Sequence, residues 1–147
     1  MFKHLLIPVD GSDFSDRAID AGVSFAKAVG ARVTGFIAEP QVVVPNLPGF
    51  VGRESGAAVG MPPPARQHGQ SALDRITARA GAAGVPCEVL QVADDNVAEA
   101  IVAAALRQGC DLIVMASHDR TCLDRLLHGS ATDAVLGHTA IPVLVLR

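Results

Sequence analysis

Five short aliphatic runs recur along this chain, and segments of helical period stand between most of them. The runs are Lys3 to Val9 (KHLLIPV), Arg32 to Ala38 (RVTGFIA), Pro86 to Val92 (PCEVLQV), Asp111 to Ala116 (DLIVMA) and Ile141 to Leu146 (IPVLVL). Each is long enough for one strand and far too short to cross a bilayer. After the first run, Ala18, Ala21, Gly22, Phe25 and Val29 recur at helical spacing from Phe14 onward, and Gly30 is placed as a C-cap. Ala72, Ile76, Ala80 and Ala83 form one stripe over Ala65 to Ala83, which Gly84 ends. Asn96 to Gln108 reads as a third helix, with Asn96 as N-cap and Glu99 at the third helical position, a capping-box pattern closed by Gly109. Gly129 and Ser130 open a fourth helix that runs to His138.

Alternation of this kind implies right-handed crossovers. The expected fold is therefore a single α/β domain over residues 1–147, a doubly wound parallel sheet with helices on both faces. Apolar residues make up 50 % of the chain but aromatics only 3 %, with no Trp or Tyr, so the core must be aliphatic. That suits strands buried on both faces and leaves no stacking platform for single-stranded nucleic acid. The net charge of −3, with no Lys/Arg block, carries no nucleic-acid footprint. Met1 to Asp10 lacks the charged and long apolar regions of a signal peptide, and Cys87, Cys110 and Cys122 are too widely spaced for a disulfide framework. A cytoplasmic location with no membrane partner is expected. Residues 40–64 differ from the rest. Their six prolines and four glycines exclude a long helix or a central strand, and they are read as a mobile insert.

In a doubly wound sheet the ligand crevice lies beyond the carboxyl ends of the strands, where strand order reverses. Two segments match that place: Val9 to Ser12 after the first strand, and Ala116 to Ser130 after the fourth. Asp10 is suited to accept from a ribose hydroxyl or a base amino group, or else to close an Asx-turn. Ser130 and Thr132, at a helix start, are suited to phosphate oxygens, although capping alone accounts for Ser130. His118 and Cys122 lack the partners and spacing of a zinc site. No Walker A motif, G-x-G-x-x-G or G-x-S-x-G occurs.

The segments HLLIPVDGSDFSDRAIDAGVSFA, DLIVMASHDRTCLDRLLHGSATDAVL and IPVLVL together resemble the universal stress protein family, from end to end of the chain. The resemblance implies a five-stranded sheet of order 3-2-1-4-5 and a regulatory homodimer paired through the last strand, Ile141 to Leu146. An uncharged apolar edge of that kind invites pairing with a second copy. It also implies a cleft for ATP with Mg²⁺. Members that bind ATP carry Gly, two residues, Gly, nine residues, then Gly-Ser/Thr. Here Ala116 and Asp119 stand where the two separate glycines belong, while Gly129 and Ser130 match. By the same resemblance, Pro8, Val9 and Asp10 lie at the nucleoside and Ile37 lines the adenine pocket. Ala116, Ser117, Asp119, Arg120, Gly129, Ser130 and Thr132 surround ribose and phosphates. A carboxylate at Asp119 opposes a triphosphate by about 4 kcal/mol at ~4 Å in a medium of dielectric ~20. Arg120 and Arg125 offset this, or a bound Mg²⁺ takes Asp119 as a ligand. The alternative is an interaction module without nucleotide, in which Asp119 and Ala116 disable ATP binding. No residue stands out as a general base, so the chain is at most a slow ATPase.

Overall fold

The computed structural model describes residues 1–11, 13–39, 64–116 and 131–146. The elements run β1 (His4–Pro8), α1 (Asp13–Val29), β2 (Arg32–Glu39), α2 (Pro64–Ala83), β3 (Cys87–Ala93), α3 (Val97–Gln108), β4 (Leu112–Ala116), α4 (Ala131–His138) and β5 (Val143–Leu146). The five strands form one parallel sheet of order β3-β2-β1-β4-β5, as the resemblance implies. Most of the insert, residues 40–63, lies outside the described residues.

The aliphatic runs pair because a strand buried on both faces satisfies its polar backbone only through neighbouring strands. Alternation then sends successive side chains to opposite faces. Leu5, Ile7, Val33, Ile37, Leu112 and Val114 join Ile19 and Val23 of α1 and Leu73 and Ile76 of α2 in one core. Leu6, Phe36, Ile113 and Met115 join Ile101 and Ala104 of α3 and Val135 of α4 in the other. β1 is the middle strand, and its Leu5, Leu6 and Ile7 are fully buried. The edges are less covered. Val89 on β3 is 47 % exposed, and all four residues of β5 are half-buried.

Two local expectations change. The last strand begins at Val143 rather than Ile141. Pro142 has no N–H to give a ladder, and only its carbonyl takes part, accepting from the Ile113 amide at 3.0 Å. At α3, the Asn96 side chain accepts from the Glu99 amide at 3.3 Å, which is the expected half of the capping box. The other half comes from Asp94, whose Oδ1 accepts from the Asn96 amide at 2.8 Å. Asn96→Ala should cost about 1 kcal/mol, read as a shift of the denaturation midpoint at unchanged slope.

α1 and α2 are also tied by charge. Asp16 lies 3.4 Å from Arg75 Nε and 3.7 Å from Arg79, which also pairs with Asp20. These groups are about a third exposed or more, so each pair contributes at most about 1 kcal/mol, and their main effect is to hold α2 in register along α1.

Candidate functional site

Strand order reverses between β1 and β4, because the chain leaves β1 for β2 on one side and returns from β3 to β4 on the other. Their carboxyl ends, Pro8 and Ala116, therefore stand at the place where a doubly wound sheet forms its ligand crevice. Pro8 and Ala116 are half-buried, and Asp10 is exposed at the mouth. Val9 and Ile37 are 6 % and 4 % exposed and pack into the α1/α2 core behind the strand ends. The Val9 amide still donates to the Phe36 carbonyl at 2.8 Å, so β1 stays tied to β2 up to the residue before Asp10.

The turn that follows needs glycine. Gly11 has φ +83°, in the left-handed region where a Cβ is strained. It redirects the chain into α1, and Ser15, in the first turn of α1, comes back against Asp10. The Ser15 hydroxyl donates to Asp10 Oδ1 at 2.6 Å and accepts from the Asp10 amide at 3.0 Å. Ser15 is only 4 % exposed. Thr132, in the first turn of α4, is 8 % exposed. Ser117, Asp119, Arg120, Gly129 and Ser130, together with His118 and Cys122, lie outside the described residues. The structure thus brings Pro8, Asp10 and Ala116 to the strand ends and adds Ser15, which the sequence reading missed. A serine five residues after a strand-terminal aspartate, across a Gly turn, is the signal that was available.

Other chemistry is scarce among the described residues. No group of three His, Cys, Asp or Glu is placed to hold a metal. Burial pushes the Cys110 thiol up to about 11 and moves Cys87 the same way, so neither is a thiolate nucleophile at neutral pH. A shallow groove at the opposite end of the sheet, lined by Lys3, Lys27, Gly30, Arg32 and Gly84, lies under the C-termini of α1 and α2. Its cations complement the partial negative charge of those helix ends. No described helix is long and apolar enough to cross a membrane.

The fold defines a doubly wound α/β protein whose strand order reverses between β1 and β4. The profile of the Universal stress protein family matches residues 1–147, and the chain belongs to that family. It is 30 % identical to a universal stress protein of Methanocaldococcus jannaschii, over all of this chain and 83 % of that one. It is 31 % identical to one of Thermus aquaticus over the full length of both. Among solved structures, a universal stress family protein from Burkholderia pseudomallei superimposes with TM-score 0.73 at 25 % identity, covering 99 % of this chain and 96 % of that one. A universal stress protein in complex with cAMP superimposes equally well, TM-score 0.73 at 24 % identity, over 99 % and 97 % of the two chains. One from Archaeoglobus fulgidus in complex with dAMP has TM-score 0.63 at 16 % identity, over 100 % and 98 %.

Proposed function

We propose that this chain is a cytoplasmic regulatory homodimer that binds an adenine nucleotide, ATP with Mg²⁺ being the first candidate, in the crevice between β1 and β4. The observation that carries the reading is Asp10, an acceptor carboxylate held by Ser15 at the mouth of the switch-point crevice. The cAMP and dAMP complexes of the two neighbouring folds support it. Pro8, Val9, Asp10 and Ile37 would serve the nucleoside. Ala116, Ser117, Gly129, Ser130 and Thr132 would serve ribose and phosphates, with Asp119 and Arg120 setting the local charge. Mg²⁺ would offset charge between Asp119 and the phosphates. The half-buried β5 edge, Val143–Leu146, supports pairing of two copies along that edge. The free thiols Cys87 and Cys110 suit a reducing compartment.

A second reading rests on the sequence from the end of β4 to α4. Ala116 and Asp119 replace glycine at two points of the family's nucleotide pattern, which favours a nucleotide-free interaction module. Calorimetric titration with ATP, AMP and cAMP, with and without Mg²⁺, separates the two when run beside Asp119→Gly. Micromolar binding by the wild-type protein is the expected result. Binding by the variant alone would establish the interaction module. Sedimentation of the same samples should give a dimer, and a monomer at micromolar concentration would remove the β5 interface.

A further inference from the structure

Ser15 is a buried hydroxyl, 4 % exposed, and both of its hydrogen bonds go to Asp10. It sits in the first turn of α1, where a helical serine ordinarily faces solvent or bonds back to a carbonyl of the preceding turn. Here it donates to a carboxylate. Its single donor goes to Asp10 Oδ1 at 2.6 Å, and it accepts from the Asp10 amide at 3.0 Å. The two bonds close a ring from Asp10 to Ser15 around the left-handed Gly11. That ring fixes both the backbone and the side-chain torsion of Asp10. Restraint of an exposed aspartate before binding lowers the entropy lost when a ligand orders it, and the two Ser15 bonds contribute to that restraint.

We infer that Ser15 is a positioning residue for nucleoside selectivity: by holding Asp10 in one orientation at the crevice mouth, it makes that carboxylate a selective acceptor for nucleoside N–H and O–H donors. The inference rests on the proposed nucleotide site and assigns it a selectivity device. A fixed carboxylate favours a donor, such as the adenine 6-amino group or a ribose hydroxyl. It disfavours the carbonyl of hypoxanthine, and 2′-deoxyribose offers it one hydroxyl donor fewer. A carboxylate free to turn away would discriminate less.

The experiment measures Kd for ATP, ITP and 2′-deoxyATP in the wild-type protein, Ser15→Ala, Ser15→Cys, Asp10→Ala and the Ser15→Ala/Asp10→Ala double variant. Hydrogen exchange at the Asp10 amide is followed in parallel without nucleotide. Ser15→Cys keeps the side-chain shape with a slightly larger atom while replacing a strong donor with a weak one, so it stands in if Ser15→Ala fails to fold. The expected result has four parts. The Asp10 amide loses protection in both Ser15 variants. ATP binding weakens by about tenfold. The preference for ATP over ITP or 2′-deoxyATP collapses. Ser15→Ala adds less than about twofold in the Asp10→Ala background, since the two act as one unit. Wild-type binding with unchanged selectivity in the Ser15 variants, or full additivity in the double variant, would overturn the inference while leaving the nucleotide site standing. No adenine-nucleotide binding by the wild-type protein would instead overturn the site itself, and the inference with it.

Discussion

Gly35→Ala is expected to destabilise the fold by about 1–3 kcal/mol, although the change is from the residue least suited to a strand to one better suited. A Cβ built at Gly35 would stand 2.8 Å from Ile76 Cγ2 and 3.2 Å from Ile76 Cδ1. Cγ2 branches directly from Cβ, so it cannot swing away as the end of a long side chain would. Ile76 is fully buried and held among Leu73, Ala72 and Ala80 in the α1/α2 core. The incoming methyl must therefore push α2 off the sheet or force Ile76 off its rotamer. The pair provides an internal check. Ile76→Ala alone should cost about 2–5 kcal/mol through the cavity it leaves. Gly35→Ala added to Ile76→Ala should cost almost nothing more, because the clashing atoms are gone. Chemical denaturation of the four proteins gives the coupling directly. If the two losses simply add, α2 does not approach β2 at Gly35 as described.

The second large effect is on acid stability, at the amino ends of the central strands. His4 is 4 % exposed on β1, and its Nε2 lies 2.7 Å from Thr34 Oγ1 on β2. None of the described residues gives its Nδ1 a hydrogen bond. Burial first, and then the Arg32 guanidinium, lower its pKa below 6.5. The pull of the Gln108 carbonyl, Asp111 and Glu88 is opposite and does not reverse this. Between the lowered value and 6.5 the unfolded chain holds a proton that the folded chain does not. Stability therefore falls as pH drops from 6.5, by up to about 1.4 kcal/mol per pH unit within that window.

A second acid window follows lower down. Asp111 accepts from the Lys3 amide at 2.8 Å and the His4 amide at 3.0 Å. Burial pushes its pKa up, but those amide bonds outweigh it and the net shift is below 3.8. Its contribution is present above 3.8 and is lost as pH falls through the folded value. Denaturation midpoints across this range should show both declines. His4→Gln keeps a polar partner for Thr34 and should flatten only the upper one. An unchanged upper decline in that variant would place the acid sensitivity on another group.

The contrast between Gly35 and Gly30 shows how far residues speak for themselves. Gly30, Gly84 and Gly109 mark helix ends in the sequence, and all three have left-handed φ at those ends. Their meaning is local, set by the backbone of one turn, so composition and spacing suffice. The order of elements was legible for the same reason, since period and run length are properties of neighbouring residues. Gly35 read only as a weak point in a strand. Its reason is a helix from the far side of the insert, visible only once α2 lies on β2. Likewise it is Asp94 that accepts from the Asn96 amide in the α3 cap, a choice that spacing alone leaves open.

The amino-acid sequence by itself determined the five strands, the four helices, the aliphatic core and the strand-end position of Asp10, because each follows from short-range pattern and burial. Only the tertiary structure decided that the Ser15 hydroxyl closes on Asp10, that Ile37 packs with the α1/α2 core, and that α2 rides close enough on β2 to require Gly35. Such choices depend on distances between surfaces that meet only when helices from separate parts of the chain settle on one sheet, and close packing leaves those distances no slack.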